Sequence, residues 1–309
     1  MIEIDDMMAL LKSAKLLFPI CIPSYKRWDR KDNKTMAKII EQSDAEVRDK
    51  TYLFVREEQA RLYRENYPDT KIVVLPHVNG LASTRQFIED YMFEAMKEPY
   101  FMDIDDDITA LKAVVLDKGK PRMSYVGEVS NGQLLRLGCE IAKMAFEKDS
   151  CVLGKPHRAR FANSFGNTQT AYVTNKGATP RSVTYINAKE IRRRGIRRNM
   201  MFDPTGDDVG FVAEIGKARG SMFNISCIAY SYVDDEINSV IRNDQNRRTL
   251  ARYEYDCLKK YPMIDYLRIP FKYEDGSYKY SDIDFTKYRK ITGLKSRTVT
   301  IEDFIKERR

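Results

Sequence analysis

The sequence predicts an α/β fold in which a mixed, mainly parallel sheet is flanked by helices. Short apolar segments alternate with helical segments over residues 1–105. Strands that are separated by helical crossovers usually pair in parallel. The last of these apolar segments ends in carboxylates, and parallel sheets bind their ligands at the carboxyl ends of their strands. We therefore expect a ligand site at that edge.

The elements follow a regular order as far as residue 105. Residues 1–15 have the pattern of a short amphipathic helix. The segment LLFPICIPSY (16–25) predicts a buried strand that ends at Pro23, because proline interrupts the hydrogen bonding of a strand. Further strands are predicted at 51–55, 71–76 and 99–105, with helices around 34–42, 57–67 and 87–96 and a polar loop at 77–86.

Beyond about residue 130 the pattern becomes mixed. It predicts a helix at 131–147, an irregular stretch rich in Gly, Asn and Thr at 154–179, a strand at 182–186, a basic helix and a further helix after an Asp-rich loop. The tail from about residue 262 predicts an irregular appendage.

Composition narrows the class of protein only a little. The chain has 309 residues, and 53 Lys and Arg against 45 Asp and Glu give a net charge of +8. This excess favours polyanionic partners, although ordinary solvation explains it equally well. Five cysteines without a CxxC pair argue against a disulfide framework or a zinc site. The longest apolar run is far shorter than the roughly 20 residues of a membrane span, so we expect a cytoplasmic protein without a signal peptide or anchor.

The sequence DIDDD at 103–107 is the sharpest chemical signal. Alternate side chains of a strand share a face, so Asp103, Asp105 and Asp107 could point together. Converging carboxylates repel one another unless a cation neutralises them, and oxygen ligands suit Mg²⁺ or Mn²⁺. The alternative is a solvated acidic turn or a cap for the next helix.

A second acidic motif, TGDDVGF (205–211), opens a predicted helix. Either Asp207 or Asp208 would cap that helix by accepting hydrogen bonds from its first N–H groups. The other would then face a cleft, where a carboxylate can act as a general base.

Two basic segments are candidates for phosphate contacts. The segment NAKEIRRRGIRRN (187–199) has capping-box spacing at Asn187 and Glu190, and it holds six cations: Lys189, Arg192, Arg193, Arg194, Arg197 and Arg198. Arginine pairs well with phosphate oxygens. His157 is surrounded by Lys155, Arg158 and Arg160, which suggests a second phosphate-contacting loop. A solvated helix face and a hydrogen-bonded loop histidine are the respective alternatives.

Four segments in order resemble the family-2 glycosyltransferases. They are IPSYKR (22–27), NGLASTRQ (79–86), FMDIDDD (101–107) and the block INAKEIRRRG, FDPTGDDVGF and ARG within 186–220. Together they cover residues 20–220, and their order and spacing are more specific than any one of them. Within this family the chain is most similar to bacteriophage TET-associated glycosyltransferases, which are linked to hydroxymethylated pyrimidines in DNA.

The resemblance implies a GT-A fold and a layout for the chain. Residues 1–260 would form the catalytic domain, with a nucleotide-sugar half at about 16–125 and an acceptor half at about 126–260, and residues 261–309 would follow as a C-terminal appendage. If the gene is carried by a phage, the protein would work in the host cytoplasm. Its oligomeric state is not predicted.

The resemblance also implies roles for individual residues. The donor, a UDP-linked sugar, would meet Pro23, Ser24, Tyr25, Arg27, Arg56, Arg85 and Asp105. Asp105 and Asp107, with Asp103 beside them, would hold Mn²⁺ or Mg²⁺. Asp208, next to Asp207, would deprotonate the acceptor hydroxyl in an inverting transfer. The acceptor would be a hydroxymethylated base such as hydroxymethylcytosine in DNA, contacted by His157, Arg158, Arg160, Lys189, Arg193, Arg194, Arg197 and Arg198.

The sequence departs from the family pattern at two places. The extra aspartates of DIDDD leave the register of the metal motif ambiguous, and Asp207 stands where a Glu is commoner. Motifs of membrane-associated polysaccharide synthases are not recognisable. Two alternatives stay open: a glycosyltransferase with a glycan, lipid or protein acceptor, and a Mg²⁺-dependent nucleic-acid-binding protein or nuclease.

Overall fold

A computed structural model describes residues 4–29, 33–78, 80–117, 120–124, 130–159, 170–176, 179–233, 244–260, 267–268 and 282–308. Within these residues, eleven strands form one mixed sheet with helices packed against it, and two short strands pair separately. The predicted α/β class is confirmed.

The first four strands form the parallel half of the sheet. They are β1 (Ile20–Ser24), β2 (Thr51–Arg56), β3 (Lys71–Leu75) and β4 (Tyr100–Ile104), and they lie in the order β3-β2-β1-β4. All three neighbouring pairs are parallel. Since parallel strands place their carboxyl ends at one edge, the segments after β1, β2 and β4 meet there, as predicted.

The helices of this half precede or connect its strands. They are α1 (Ile4–Ser13), α2 (Ala45–Asp49), α3 (Ala60–Asn66) and α4 (Leu81–Asp90), with π-helical segments at Met36–Ile40 and Tyr91–Ala95 and a 3₁₀ turn at Glu57–Gln59. The loop predicted at 77–86 is wrong from residue 81 onward. Gly80 begins the helix there, and its N–H donates to Ser83 Oγ at 3.1 Å, which places Arg85 on a helix.

The second half of the sheet is mostly antiparallel. It contains β5 (Ile108–Asp117), β6 (Lys120–Ser124), β7 (Cys151–Arg158), β8 (Thr170–Thr174), β9 (Val183–Asn187) and β10 (Ser221–Tyr232). Strand β9 joins the halves, because it pairs antiparallel with β4 on one side and with β7 on the other. Strands β7 and β8 occupy the two ends of the stretch predicted to be irregular, so that prediction is wrong at both ends.

Four helices follow in this half. They are α5 (Asn131–Lys148), α6 (Ala188–Arg193), α7 (Asp207–Lys217) and α8 (Asp244–Leu258), and a 3₁₀ turn lies at Met200–Phe202. Asn187 Oδ1 accepts from the Glu190 N–H at 3.0 Å, so the cap predicted for the basic helix is present. Among the described residues, no helix is long and apolar enough to cross a membrane.

The described part of the C-terminal segment is ordered rather than irregular. It contains α9 (Phe285–Thr292), β13 (Thr298–Thr300) and α10 (Ile301–Arg308), while the small pair is β11 (Leu267–Arg268) with β12 (Asp282–Ile283). Strand β13 adds to the large sheet beside β8. Arg308 lies 2.6 Å from Glu140 of α5. The predicted irregular packing is therefore wrong for residues 282–308, whereas the domain boundaries stay predictions.

The apolar core lies on both faces of the sheet. In β1, Ile20 and Ile22 join one buried cluster and Cys21 joins the other. In β4, Phe101 lies on the face of Cys21. Asp103 has the same parity as Phe101, so it also points to the face covered by α4 and α7. Because of this alternation, the first aspartate of DIDDD points toward α4 and α7.

Candidate active site

A cavity of about 370 Å³ opens at the carboxyl ends of β4 and β7, next to the start of α7. Its charged lining residues are Arg85, Asp105, Arg158, Arg181, Asp203, Asp207, Asp208 and Glu254. The cavity thus joins residues from both halves of the sheet, and it is lined by Asp105 of DIDDD and by Asp207 and Asp208 of TGDDVGF.

Thr35 holds the acidic turn that follows β4. Its hydroxyl donates to the Asp105 carbonyl at 2.5 Å and accepts from the Ile108 N–H at 2.9 Å. Its N–H donates to the Asp106 carbonyl at 3.2 Å. Because Thr35 is fully buried, the backbone of this turn is fixed by the core.

Arg85 of α4 ties the end of β4 to the start of α7. Its Nη2 lies 2.7 Å from Asp105 Oδ1, its Nε lies 3.0 Å from Asp103 Oδ2, and its Nη1 lies 2.9 Å from Asp207 Oδ2. Burial lowers the pKa of this guanidinium, but the three carboxylates outweigh burial and raise it. Arg85 is therefore a charged clamp on the carboxylates, and its predicted contact with donor phosphates stays a prediction.

Arg198 extends this network into the protein. Its Nε donates to Glu89 Oε1 at 2.8 Å and its Nη1 donates to Asp207 Oδ2 at 3.0 Å. The guanidinium also stacks on Phe211, 3.9 Å from the ring centroid. Its side chain is only 2% exposed, so the prediction that Arg198 contacts nucleic acid is wrong.

Asp207 belongs to the same network. Its Oδ1 accepts from Arg85 and its Oδ2 from both Arg85 and Arg198. Two arginines therefore occupy this carboxylate, which favours a positioning role over the catalytic role predicted for it.

Asp208 differs from its neighbour. Its Oδ2 lies 2.5 Å from Arg181 Nε, and its Oδ1 accepts from the Val209 N–H at 2.9 Å. Burial raises the pKa of Asp208, but Arg181 outweighs it and the net shift is downward. The carboxylate is therefore ionised at neutral pH and lines the cavity.

Neither aspartate caps α7, contrary to prediction. The cap position belongs to Gly206, whose φ of 77° is left-handed. Asp207 and Asp208 occupy the first turn instead, where the helix dipole favours negative charge. The Asp207 carboxylate is turned toward Arg85 and Arg198, whereas Asp208 accepts from the Val209 N–H from within the first turn rather than from the cap position.

Two of the five residues of DIDDD fit a divalent cation. Asp105 lines the cavity, and Asp107 Oδ1 is buried without a hydrogen-bond partner among the described residues. Burial, followed by the nearby Asp105 and Asp106, raises the pKa of Asp107 to about 7. A buried carboxylate oxygen that lacks a donor, beside a second carboxylate, is a suitable ligand for Mg²⁺ or Mn²⁺.

Asp103, the predicted third ligand, does not line the cavity. No group of three acidic, histidine or cysteine side chains suited to a metal occurs in the described part of the chain. Asp103 lies under Arg85 and is 6% exposed. The sheet turns Asp103 toward α4 and α7, where Arg85 pairs with its Oδ2. Its Oδ1 is buried without a hydrogen-bond partner among the described residues, so the role of Asp103 as a metal ligand stays a prediction.

The predicted nucleotide-binding residues gather at the ends of β1 and β2. The Arg56 guanidinium lies 4.4 Å from the centroid of the Tyr25 ring, which is 38% exposed. Ser24 Oγ donates to Asp106 Oδ2 at 2.7 Å, and Arg27 forms an ion pair with the same carboxylate. Burial raises the pKa of Asp106 to about 6 despite Arg27. Pro23 is partly buried within β1. None of these residues lines the cavity, but Ser24 and Arg27 contact Asp106, which is adjacent in sequence to the cavity residue Asp105.

Residues 18–137 match a family model described as TET-associated glycosyltransferase. This match confirms the predicted class: a glycosyltransferase. The matched segment is less than half of the chain, and it contains the IPSYKR and DIDDD motifs and Arg85. The glycosyltransferase motifs at 186–220 lie beyond it, so the roles given to Asp207 and Asp208 rest on their geometry.

Several solved structures are distantly similar. S. aureus TarS 1-349 has a TM-score of 0.44 at 10% identity, with 80% of this chain and 66% of that chain covered. The same protein in complex with UDP has a TM-score of 0.42 at 9% identity, with 80% and 67% covered. This chain thus spans about two thirds of that TarS fragment.

A third structure is the glucosyl-3-phosphoglycerate synthase of Mycobacterium tuberculosis, in complex with Mn²⁺, UDP and phosphoglyceric acid. It has a TM-score of 0.41 at 8% identity, with 81% of each chain covered. No curated protein sequence matches the chain. Because all these TM-scores are below 0.5, the function proposed below rests on the family match and on the residues of the cavity.

Most of the basic helix of this glycosyltransferase is neutralised by acidic partners. Arg193 and Arg194 both lie 2.6 Å from Glu190, and Arg197 lies 3.0 Å from Asp90. None of the three lines the cavity. Lys189 is exposed. Lys189, Arg193 and Arg197 keep the exposure that a nucleic-acid contact needs, and that contact stays a prediction.

In the second basic segment, one residue is buried in the core and another lines the cavity. His157 is 7% exposed, and burial together with Lys155 lowers its pKa to about 4. The prediction that His157 contacts nucleic acid is therefore wrong, because it is a buried, neutral histidine. Arg158 lines the cavity of the glycosyltransferase, and Arg160 lies outside the described residues.

The cavity also contains residues that the sequence did not single out. Arg181 precedes β9, and Glu254 comes from α8. Glu254 is 2% exposed and lies against Gly206. No local motif marks either residue, because each reaches the cavity only through the pairing of distant elements.

Proposed function

We propose that this chain transfers a sugar from a UDP-linked donor to a hydroxymethylated pyrimidine base in DNA, with inversion and with a divalent cation. One observation carries the proposal: a single cavity holds Asp105, at the end of β4, together with Asp208, at the start of α7. Sugar transfer from a diphosphate requires one carboxylate that binds a cation and one ionised carboxylate that accepts a proton. The family match over residues 18–137 supports the donor side.

The donor would lie along the edge formed by β1, β2 and β4. Tyr25 and Arg56 offer a stacked pair for the nucleobase, and Asp105 and Asp107 would hold Mn²⁺ or Mg²⁺. Such a cation keeps several ligand positions for substrate oxygens and water, so two carboxylates suffice. When bound, it would neutralise negative charge on the leaving diphosphate.

Asp208 would act as the general base. It would accept the proton of the acceptor hydroxyl while that oxygen forms a bond to the anomeric carbon and the bond to the diphosphate breaks. Arg181 keeps Asp208 ionised, and each carboxylate oxygen retains a lone pair for a further donor. A single displacement from the face opposite the diphosphate inverts the anomeric centre.

DNA is proposed as the acceptor because the matched family is described as TET-associated. A base within a duplex would have to leave the stack to reach Asp208. Lys189, Arg193 and Arg197 would then contact the backbone, and binding would depend on salt. Hydroxymethylcytosine and hydroxymethyluracil carry the same reactive hydroxymethyl group.

The test combines a panel of nucleotide sugars with plain and hydroxymethylated DNA, with Mn²⁺ or Mg²⁺ present and the nucleosides measured by mass spectrometry. We expect an increase of one sugar mass on hydroxymethylated DNA alone. Asp208→Asn should lower the transfer rate by about 10²–10⁴-fold, the usual contribution of a general base, and should leave UDP affinity unchanged. Asp49→Asn, a change at a side chain that is 75% exposed, is the matched control.

Three outcomes would contradict parts of this proposal. Transfer to a glycan, lipid or protein but not to DNA would overturn the acceptor. Unchanged transfer in Asp208→Asn would overturn the base. DNA cleavage without any nucleotide sugar would replace the transferase with a nuclease.

A further inference from the structure

Three guanidinium groups line the cavity, and they differ in their partners. Arg85 and Arg181 are each paired with carboxylates. Arg158 has no carboxylate partner within the part of the chain that the structure describes, although it is partly buried. An unneutralised cation in a cavity among acidic side chains is a candidate binder for an anionic ligand group.

Two tyrosines of β10 hold Arg158 in place. Its Nε donates to Tyr230 Oη at 3.3 Å and its Nη1 donates to Tyr232 Oη at 3.1 Å. The guanidinium also lies 4.7 Å from the centroid of the Tyr232 ring. An arginine has five N–H groups, so these two bonds leave three for a ligand. Arg158 is thus oriented by two hydroxyl groups and not by a carboxylate of the described residues.

Arg158 is connected to Asp208 through Tyr230. The Tyr230 hydroxyl donates to the carbonyl of Arg181 at 3.2 Å, and Arg181 pairs with Asp208. In the sheet, β9 separates β7, which ends at Arg158, from β4, which precedes Asp105. Two strand spacings amount to about 10 Å. The Arg158 backbone therefore lies about two strands from that of Asp105, and its side chain is linked to the general base through Tyr230 and Arg181.

We propose that Arg158 binds a phosphate of the acceptor, namely a phosphodiester next to the nucleotide that receives the sugar. This inference rests on the proposed function. The planar fork of a guanidinium matches two phosphate oxygens, and arginine keeps its charge at any physiological pH. The diphosphate of the donor offers the same chemistry, and the experiment separates the two sources.

The first arm compares acceptors that differ in their phosphates. The hydroxymethylated nucleoside has none, whereas a short single-stranded oligonucleotide carries phosphodiesters on both sides of the same base. Arg158→Gln should lower kcat/KM for the oligonucleotide by about 10–100-fold, the effect of losing a charge-assisted hydrogen bond. It should leave kcat/KM for the nucleoside within about twofold. Arg61→Gln, which removes a charge from a side chain that is 84% exposed on α3, should change neither.

The second arm measures binding without catalysis. Anisotropy of a labelled oligonucleotide, titrated at several salt concentrations, should show that Arg158→Gln reduces the slope of log K against log salt by about 1. Calorimetric titration with UDP and Mn²⁺ should give equal affinities for the two proteins. Arg158→Lys, which keeps the charge and loses the fork, should keep the salt slope and recover part of the affinity. If the glutamine variant fails to fold, the lysine variant still tests the proposal.

Weaker UDP binding with unchanged oligonucleotide binding would assign Arg158 to the donor and overturn the proposal. An equal loss of activity on the nucleoside and the oligonucleotide would mean that Arg158 acts only through Tyr230 and Arg181, which would also overturn it. Failure of the wild-type chain to transfer sugar to any acceptor would refute the proposed function instead. The binding arm would still decide whether Arg158 contacts a nucleic-acid phosphate.

Discussion

The buried pair of Arg198 and Glu89 gives a prediction whose size follows from the structure. Arg198→Met keeps the volume of the side chain but removes a guanidinium that is 2% exposed. Glu89 is then left as a buried carboxylate, and its Oε2 already lacks a hydrogen-bond partner among the described residues. Removing one member of a buried ion pair usually costs 3–5 kcal/mol. Because Asp207 keeps Arg85 as a partner, we expect the lower end of that range, about 3 kcal/mol.

Urea-induced unfolding of wild type and Arg198→Met at several pH values measures this loss. Burial raises the pKa of Glu89, and Arg198 opposes that shift. Without Arg198 the folded protein takes up a proton at Glu89 at higher pH than the unfolded chain does. Its stability relative to wild type should therefore recover as the pH falls from 8 to 5.

A second substitution isolates the cause. Adding Glu89→Gln to Arg198→Met removes the unpaired charge and should restore part of the free energy of unfolding at neutral pH. A loss below about 1 kcal/mol, or a loss that is the same at pH 8 and pH 5, would refute the reasoning that an unpaired buried carboxylate causes the effect.

Three further predictions concern the cavity and its surroundings. A Cβ at Gly206 would lie 2.7 Å from Glu254, so Gly206→Ala should lower the free energy of unfolding by about 1–3 kcal/mol and slow transfer. The control is Gly195→Ala, because Gly195 also has a positive φ but its Cβ would have nothing within 4 Å. In urea melts this control should lose less stability, and it should leave transfer unchanged. Burial lowers the pKa of His157 to about 4, so the folded protein favours the neutral imidazole. The folded state should therefore lose stability as the pH falls from the usual pKa of a histidine toward 4. His157→Gln should remove this loss, which amounts to about 3 kcal/mol of the free energy of unfolding. Chelation of divalent cations should abolish transfer, and Asp107→Asn should raise the Mn²⁺ concentration for half-maximal recovery several-fold.

The parallel half of the fold is predictable because its sequence pattern is local. Strands covered on both faces are apolar almost throughout, and β1, β2 and β4 meet that description. Their order also fixes where DIDDD must lie. The sequence does not predict the beginning of α4, because a glycine such as Gly80 is typical of a loop, whereas here it begins a helix.

The antiparallel half is harder to predict, and β10 shows why. Its sequence SMFNISCIAYSY mixes polar and apolar residues without a clean alternation. The strand pairs with β7 on one side and with β8 and β5 on the other, and all these partners are distant in sequence. Its stability as a strand therefore comes from tertiary pairing rather than from local preference.

The basic segment shows the same limit at the level of single residues. Arg197 and Arg198 are adjacent, yet their side chains are 53% and 2% exposed. The sequence predicts the density of positive charge there, but the partners of Arg197 and Arg198 come from α4 and from the start of α7. Burial of an arginine depends on those partners, which explains why the sequence predicts a nucleic-acid contact for an arginine that the structure buries.

The charges around the cavity are arranged in a way that bears on both proposals. The buried network comprises Arg85 and Arg198 with Asp103, Asp105, Asp207 and Glu89. Four carboxylates and two guanidinium groups leave an excess of negative charge when all are ionised, and Asp107 adds to it next to Asp105. Arg158, by contrast, has no neutralising partner among the described residues. Since Coulomb interactions strengthen away from bulk water, a cation is favoured at Asp105 and Asp107, and a lone anionic group is favoured at Arg158. One cavity can therefore hold a cation with its diphosphate and a phosphodiester at the same time, provided that each binds where the opposite charge is in excess.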